Sequence, residues 1–179
     1  MNENNNDKRL VLLVEDDGRL SELIDDRLRI YCDSVDITLF SNSGEVISYL
    51  DDHQGKKYPQ AMILDLMMPY GENRTLLDPD EQDLDENSTG LNLLSYIRMK
   101  EKENNLDPMW VFIITARSPL AVKTKATELI NGKGEIFFKP LDTNALEHRL
   151  MTAINVESKV PESLLIDDVN DSGAEREDG

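Results

Sequence analysis

Leu10-Val11-Leu12-Leu13-Val14 runs without a break into Glu15-Asp16-Asp17. Five consecutive apolar residues leave no polar face, so the segment reads as a strand buried on both sides, as in the middle of a parallel sheet. The acids that follow belong at the strand's carboxyl end. Leu20, Leu23, Ile24, Leu28 and Ile30 come next at near-helical spacing, with Asp25, Asp26, Arg27 and Arg29 between them. That pattern is an amphipathic helix, and Asp17 is placed to cap it.

The alternation repeats along the chain. Val35 to Phe40 reads as a second strand, and Ser43 opens a helix through Val46, Ile47 and Leu50 that Gly55 and Pro59 bring to an end. Ala61 to Asp65 is the third strand, Leu91 to about Glu101 the third helix, and Trp110 to Thr115 the fourth strand. Pro119 suits the first turn of a fourth helix that runs to Ile130 and stops at Asn131-Gly132. Glu135 to Phe138 is the fifth strand, and Thr143 to about Val156 the last helix. Five strands alternating with five helices predict an α/β class fold, a doubly wound parallel sheet with helices on both faces.

The chain has 179 residues, 39% hydrophobic and 31% charged, enough apolar side chain for one sizeable core. The reading is a globular region over 8–156, a disordered N-terminus over 1–7, an acidic loop over 70–89 and an acidic disordered tail over 157–179. The net charge is −17, of which residues 70–89 and 157–179 carry −6 each. Acidity of this kind argues against direct binding of a nucleic-acid backbone. No apolar run reaches the ~20 residues a bilayer requires, and MNENNNDKRL lacks an apolar signal core, so no membrane insertion and a cytoplasmic location are expected. In that setting the Asn-x-Ser/Thr triplets at Asn73, Asn87 and Asn170 are not glycosylation sites. Cys32 is alone and reads as a small buried apolar residue. No output domain is expected after the last helix, where only Leu164, Leu165 and Ile166 form an apolar cluster.

In a sheet of this type ligands gather outside the carboxyl ends of the strands. The sequence places Glu15, Asp16 and Asp17 there from the first strand, Asp65 from the third, Thr115 from the fourth and Lys139-Pro140 from the fifth. Converging carboxylates repel one another unless a cation sits among them, and Glu15 and Asp16 have no other evident counter-charge. A hard divalent ion such as Mg²⁺, which takes carboxylate, carbonyl and phosphate oxygens, answers that conflict. A Thr hydroxyl and a Lys ammonium on neighbouring strands are what a phosphoryl group needs for its other oxygens. Each residue taken singly has a plainer use, Asp17 as a helix cap and Lys139 as a solvated side chain; it is their joint position that points to phosphoryl chemistry.

Taken together, Val11-Leu-Leu-Val-Glu-Asp-Asp17, Met62-Ile-Leu-Asp-Leu-Met-Met-Pro69, Gly90-Leu-Asn-Leu-Leu94, Ile113-Ile-Thr-Ala-Arg117 and Phe138-Lys-Pro140 make the chain resemble a response-regulator receiver domain of two-component signalling. The resemblance spans about residues 8–156. It implies a flavodoxin-like (βα)5 fold with strand order 2-1-3-4-5. It further implies that Asp65 accepts a phosphoryl group from a phosphohistidine of a sensor histidine kinase or phosphotransfer protein. By the same resemblance Glu15 and Asp16 hold Mg²⁺ with Asp65 and the Met67 carbonyl, Thr115 bonds a phosphoryl oxygen, and Lys139 pairs with it. The output is then a phosphorylation-dependent contact with a downstream protein, in a protein that assists only its own phosphorylation and dephosphorylation and is otherwise no enzyme. Kinase, output partner and oligomeric state stay open.

Three features depart from the family pattern. Ile136 stands three positions before Lys139, where an aromatic residue is common, leaving Phe137 or Phe138 to repack in its place or Ile136 to serve as ordinary strand core. Asp65 and Gly90 are 25 positions apart, longer than the family's usual spacing, and the added residues read as a disordered bulge, a lid over Asp65 or a docking surface for a kinase. Arg117, Lys123, Lys125, Lys133 and Lys139 form the one cation-rich stretch, with only Glu128 and Glu135 as acids among them. Two other functions compete with a phosphoacceptor: a phosphorylation-independent receiver-like adaptor, which the filled chemical positions weaken, and an aspartyl-phosphate hydrolase, which needs a second acid where Met67 stands. A dinucleotide-binding domain is set aside because no Gly-x-Gly-x-x-Gly follows the first strand.

Overall fold

A computed structural model of the chain describes residues 8–52, 57–72, 89–116 and 120–156. The elements alternate throughout: β1 (Arg9–Val14), α1 (Gly18–Tyr31), β2 (Val35–Phe40), α2 (Ser43–Asp52), β3 (Ala61–Asp65), α3 (Thr89–Glu103), β4 (Trp110–Thr115), α4 (Leu120–Ile130), β5 (Gly134–Phe138) and α5 (Thr143–Ala153). All strand pairs are parallel and the sheet order is β2-β1-β3-β4-β5, the flavodoxin-like order expected from the sequence.

β1 lies between β2 and β3, and Val11 to Val14 are fully buried, as an unbroken apolar run requires. Its side chains alternate between two cores. Leu12 and Val14 join Met62, Leu64, Val111 and Ile113 beneath α2, α3 and α4, whereas Val11 and Leu13 join Ile63, Phe112 and Ile114 against Ile24 and Leu28 of α1 and Leu146 and Leu150 of α5. Each such aliphatic side chain contributes roughly 1.5–3 kcal/mol by leaving water. Cys32 is buried at the end of α1, within the second core.

Caps fix the helix ends. Asp17 accepts hydrogen bonds from the backbone N–H groups of Arg19 and Leu20, and Asp142 does the same for Asn144 and Ala145. α4 ends where Asn131 and Gly132 take positive φ angles of 48° and 77°. The last helix is shorter than its apolar pattern suggests. Asn155 turns left-handed (φ 56°), its N–H bonds the Thr152 carbonyl, and the Val156 N–H reaches back to the Met151 carbonyl, so α5 closes in a Schellman turn. α3 is longer than expected and begins at Thr89, because the Gly90 N–H is held by the Leu66 carbonyl (3.1 Å) and Thr89 is buried.

The beginning of the 70–89 segment is likewise part of the packed structure. Tyr70 is buried, its carbonyl accepts from the Gly44 N–H and the Ser43 hydroxyl (both 2.8 Å), and its own hydroxyl accepts from Asn92 Nδ2 at 3.1 Å. Residues 73–88, most of the acidic loop, lie outside the described residues, as do 1–7, 157–179, Pro119 and Gly55. Among the described residues no helix is long and apolar enough to cross a membrane.

Candidate functional site

The carboxyl edge of the sheet collects its chemistry from four strands. Asp65 is the last residue of β3 and is in register with Ile114, so Thr115, the end of β4, stands one position further along the same edge. Thr115 is in turn in register with Phe138 at the end of β5, and the Lys139 N–H donates to its carbonyl at 2.8 Å. Glu15 follows β1, anchored by its own N–H on the Phe40 carbonyl at 3.1 Å. Parallel pairing thus brings residues up to 124 positions apart in sequence to one place.

Lys139 is the hub. Its Nζ donates to Asp65 Oδ2 at 2.7 Å and to Glu15 Oε2 at 2.9 Å, with Glu15 Oε1 at 3.2 Å. The expectation that Glu15 lacks a counter-charge is therefore corrected: the partner comes from the far end of the chain, which sequence proximity cannot reveal. Backbone N–H groups hold the carboxylates as well: Asp65 Oδ1 accepts from the Met67 N–H (3.0 Å), and Glu15 Oε1 also accepts from the Asp17 N–H (3.1 Å). Asp65 is 3% exposed and Glu15 2%, Thr115 is fully buried, and Asp16 is exposed. Carboxylate oxygens of Glu15, Asp16 and Asp65 lie within 4.8 Å of one another.

The electrostatics follow from this burial. Loss of water pushes the Glu15 carboxyl up to about 7, and the Asp65 charge adds to the rise while the Lys139 hydrogen bond opposes it. Burial alone pulls the Lys139 ammonium down, but its hydrogen bonds to Asp65 and Glu15 and their charges outweigh that and hold it above the usual lysine value. Fully ionised, three carboxylates and one ammonium leave a charge of −2, which one divalent cation cancels. Hard oxygen donors at this mutual distance, one of them open to solvent, fit Mg²⁺.

Of the predicted set, Glu15, Asp16, Asp65, Thr115 and Lys139 are brought to one edge, and Met67 bonds Asp65 through its amide while its side chain is 40% exposed. Asp17 caps α1, as the plainer reading held. Arg117 lies outside the described residues. Ile136 packs against the core under α4, and Phe137 meets Phe112 in the other core with ring centroids 6.4 Å apart. Phe138, 48% exposed, sits under the ammonium of Lys123 at 5.7 Å.

The cation-rich stretch divides in space. Lys139 turns into the acidic cluster, whereas Lys133 precedes β5, at the sheet's other edge, and pairs with Asp107 at 2.6 Å. A parallel strand sends residues at its two ends to opposite edges, so adjacency in sequence does not make a surface patch. Two buried networks carry no sequence signature that singled them out. Arg98 Nη1 donates to Glu101 at 2.7 Å and Arg98 also holds the Leu129 and Met109 carbonyls, while Glu101 accepts from Tyr58 Oη (3.1 Å) and the Met109 N–H (2.9 Å), tying α3 to α4 and to the residue that leads into β4. Arg27 of α1 reaches Asn144 and Glu147 of α5. Only the i, i+3 pairing of Arg98 with Glu101 was visible in the sequence.

No protein-family model matches the chain, and no curated protein matches it. Solved structures do. The signal receiver domain of a protein from Vibrio parahaemolyticus is 23% identical, with 83% of this chain and 91% of that one covered and a TM-score of 0.56. The signal receiver domain of an HD domain-containing protein from Pseudomonas fluorescens Pf-5 is 14% identical, with 83% and 95% covered and a TM-score of 0.60. The BeF3-activated DrrB receiver domain is 17% identical, with 83% and 98% covered and a TM-score of 0.54. At these identities the likeness establishes the fold that the chain shares with receiver domains.

Proposed function

We propose that the chain is a response-regulator receiver whose Asp65 accepts a phosphoryl group from a phosphohistidine of a sensor histidine kinase or phosphotransfer protein. One observation carries this reading: a single ammonium, Lys139, bridges two buried carboxylates at the strand edge, with a third carboxylate, Asp16, left open beside them. A structural ion pair needs neither the third acid nor the buried hydroxyl of Thr115 at the next strand.

An Asp65 oxygen attacks phosphorus, the P–O bond forms, and the P–N electron pair leaves with an imidazole that keeps its proton on the other nitrogen. Lys139 stabilises negative charge developing on the phosphoryl oxygens, and Thr115 donates a hydrogen bond to one of them. Glu15, Asp16, Asp65 and the Met67 carbonyl would hold Mg²⁺, whose charge would offset that of donor and acceptor. The acyl phosphate then biases the packing around Thr115, α4 and β5 and signals through protein contact.

The test is labelling with a small phosphodonor such as acetyl phosphate plus Mg²⁺, followed by borohydride trapping and mass spectrometry. One phosphoryl group on Asp65 is expected. Undiminished labelling of Asp65→Ala overturns the assignment.

A further inference from the structure

At the opposite edge of the sheet from Asp65, a cleft of about 330 Å³ opens among Pro59, Leu106, Pro108, Trp110, Ile154 and Arg9. Leu106 is 38% exposed and Trp110 is half-buried, so the cleft presents apolar surface to water. Its rim is cationic. Lys57 Nζ is bound to the Lys8 carbonyl, which places both beside Arg9, and Lys133 stands over Asp107 and Pro108. Among the described residues, Lys133 pairs with Asp107, whereas Lys8, Arg9 and Lys57 have no ion pair.

The chain itself supplies a matching segment. The Schellman turn at the end of α5 folds Val156 back onto the core, and Asn155, within that turn, lines the cleft. The described chain therefore ends at the cleft's edge, one residue before 157–179. Those residues carry −6 and one apolar cluster, Leu164-Leu165-Ile166, followed by Asp167-Asp168. Leu164 stands eight positions beyond Val156, a span of up to roughly 26 Å when extended. So short a tether also gives the segment a local concentration in about the millimolar range, enough for weak contacts to hold.

We propose that the acidic tail binds in cis, with Leu164-Leu165-Ile166 in the cleft over Trp110 and the flanking acids against Lys8, Arg9 and Lys57. The site is separate from the Asp65 cluster and does not depend on its phosphorylation.

Trp110 is the only tryptophan in the chain, so its fluorescence reports the cleft directly. In the full-length protein, Leu164→Ser with Leu165→Ser and Ile166→Ser should red-shift the emission and raise acrylamide quenching about twofold, as expected when a half-covered ring is opened to water. Leu106→Asp on the cleft wall should do the same. A synthetic 157–179 peptide added to the triple variant should restore the original emission. Emission and quenching equal to wild type in both variants would overturn the proposal. So would protection of Trp110 that is lost on dilution, since a second copy and not the tail would then cover the cleft.

Discussion

Gly90 sets the position of Asp65, and replacing it by alanine tests how much the site depends on backbone placement. A Cβ at position 90 would stand 2.4 Å from the Asp65 carbonyl oxygen and 2.7 Å from Leu66 Cα, where ordinary contact begins near 3.4 Å. These are backbone atoms, so no rotamer change relieves the clash, and either α3 or the β3 terminus must retreat by about 1 Å. Overpacking of this kind costs about 1–3 kcal/mol. The helix propensity gained from glycine to alanine offsets up to about 1 kcal/mol of it. A net loss of about 1–2 kcal/mol lowers the melting temperature by roughly 2–8 °C in a chain of this size. The effect on chemistry is larger, because a reacting group displaced by about 1 Å loses on the order of 100-fold in rate. Gly18→Ala is the control. Nothing lies within 4 Å of its Cβ and its φ is ordinary, so it should stabilise by about 0.4–1 kcal/mol and leave labelling unchanged. Thermal melts and acetyl phosphate labelling rates of the two variants decide the matter. A Gly90→Ala protein that melts and labels like wild type would refute the claim that this contact positions Asp65.

Further outcomes follow from the charges. Mg²⁺ should raise the melting temperature by mass action, and Asp16→Asn should weaken its binding more than Glu15→Gln, because Glu15 is already answered by Lys139 while Asp16 is open; calorimetric titration showing equal losses would contradict this. Without divalent ions, folded Glu15 keeps its proton to about pH 7 while the unfolded chain releases it near 4.5, so Glu15 makes stability fall as pH rises through that window and adds no slope above it. Urea midpoints from pH 4 to 8 should show this component in wild type and not in Glu15→Gln; parallel curves would exclude it. Met67, apolar and two residues past Asp65, offers no hydrogen bond to orient an attacking water. Met67→Asn, combined with Arg117→Glu, should therefore shorten the acyl phosphate lifetime by about tenfold, the worth of roughly 1.4 kcal/mol. The first-order dephosphorylation rate measures it, and an unchanged rate removes side-chain control of water access.

What could be read from the sequence follows from locality. β1 was legible because an apolar run bounded by acids admits few other placements, and the alternation of strand and helix periods then leaves one right-handed winding. Asp65, Glu15, Thr115 and Lys139 were legible as a group since each closes or follows a strand, and parallel pairing carries strand ends to one edge. Helix ends were read less well: α3 starts early at Thr89 because Leu66, just past the end of β3, supplies the hydrogen bond, and α5 stops early because Asn155 accepts a left-handed backbone. Lys139 as the partner of Glu15 was not legible, nor was the clamp of Tyr70 by Ser43, Gly44 and Asn92, because side-chain partners across the fold leave no periodic trace.

The same geometry explains why a net charge of −17 misdescribes the molecule. β1, β3, β4 and β5 each begin at one edge of the sheet and end at the other, and five or six residues carry a strand about 17–20 Å. Glu15, Asp16 and Asp65 stand at the carboxyl edge; Lys8, Arg9, Lys57 and Lys133 stand at the amino edge. At physiological ionic strength the Debye length is about 8 Å, so a charge added at one edge is largely screened before it reaches the other. A phosphoryl group on Asp65 therefore exerts little direct field on the tail in the Trp110 cleft. Any coupling between the two must pass through packing, and the path at hand is β4, which carries Thr115 at one end and Trp110 at the other.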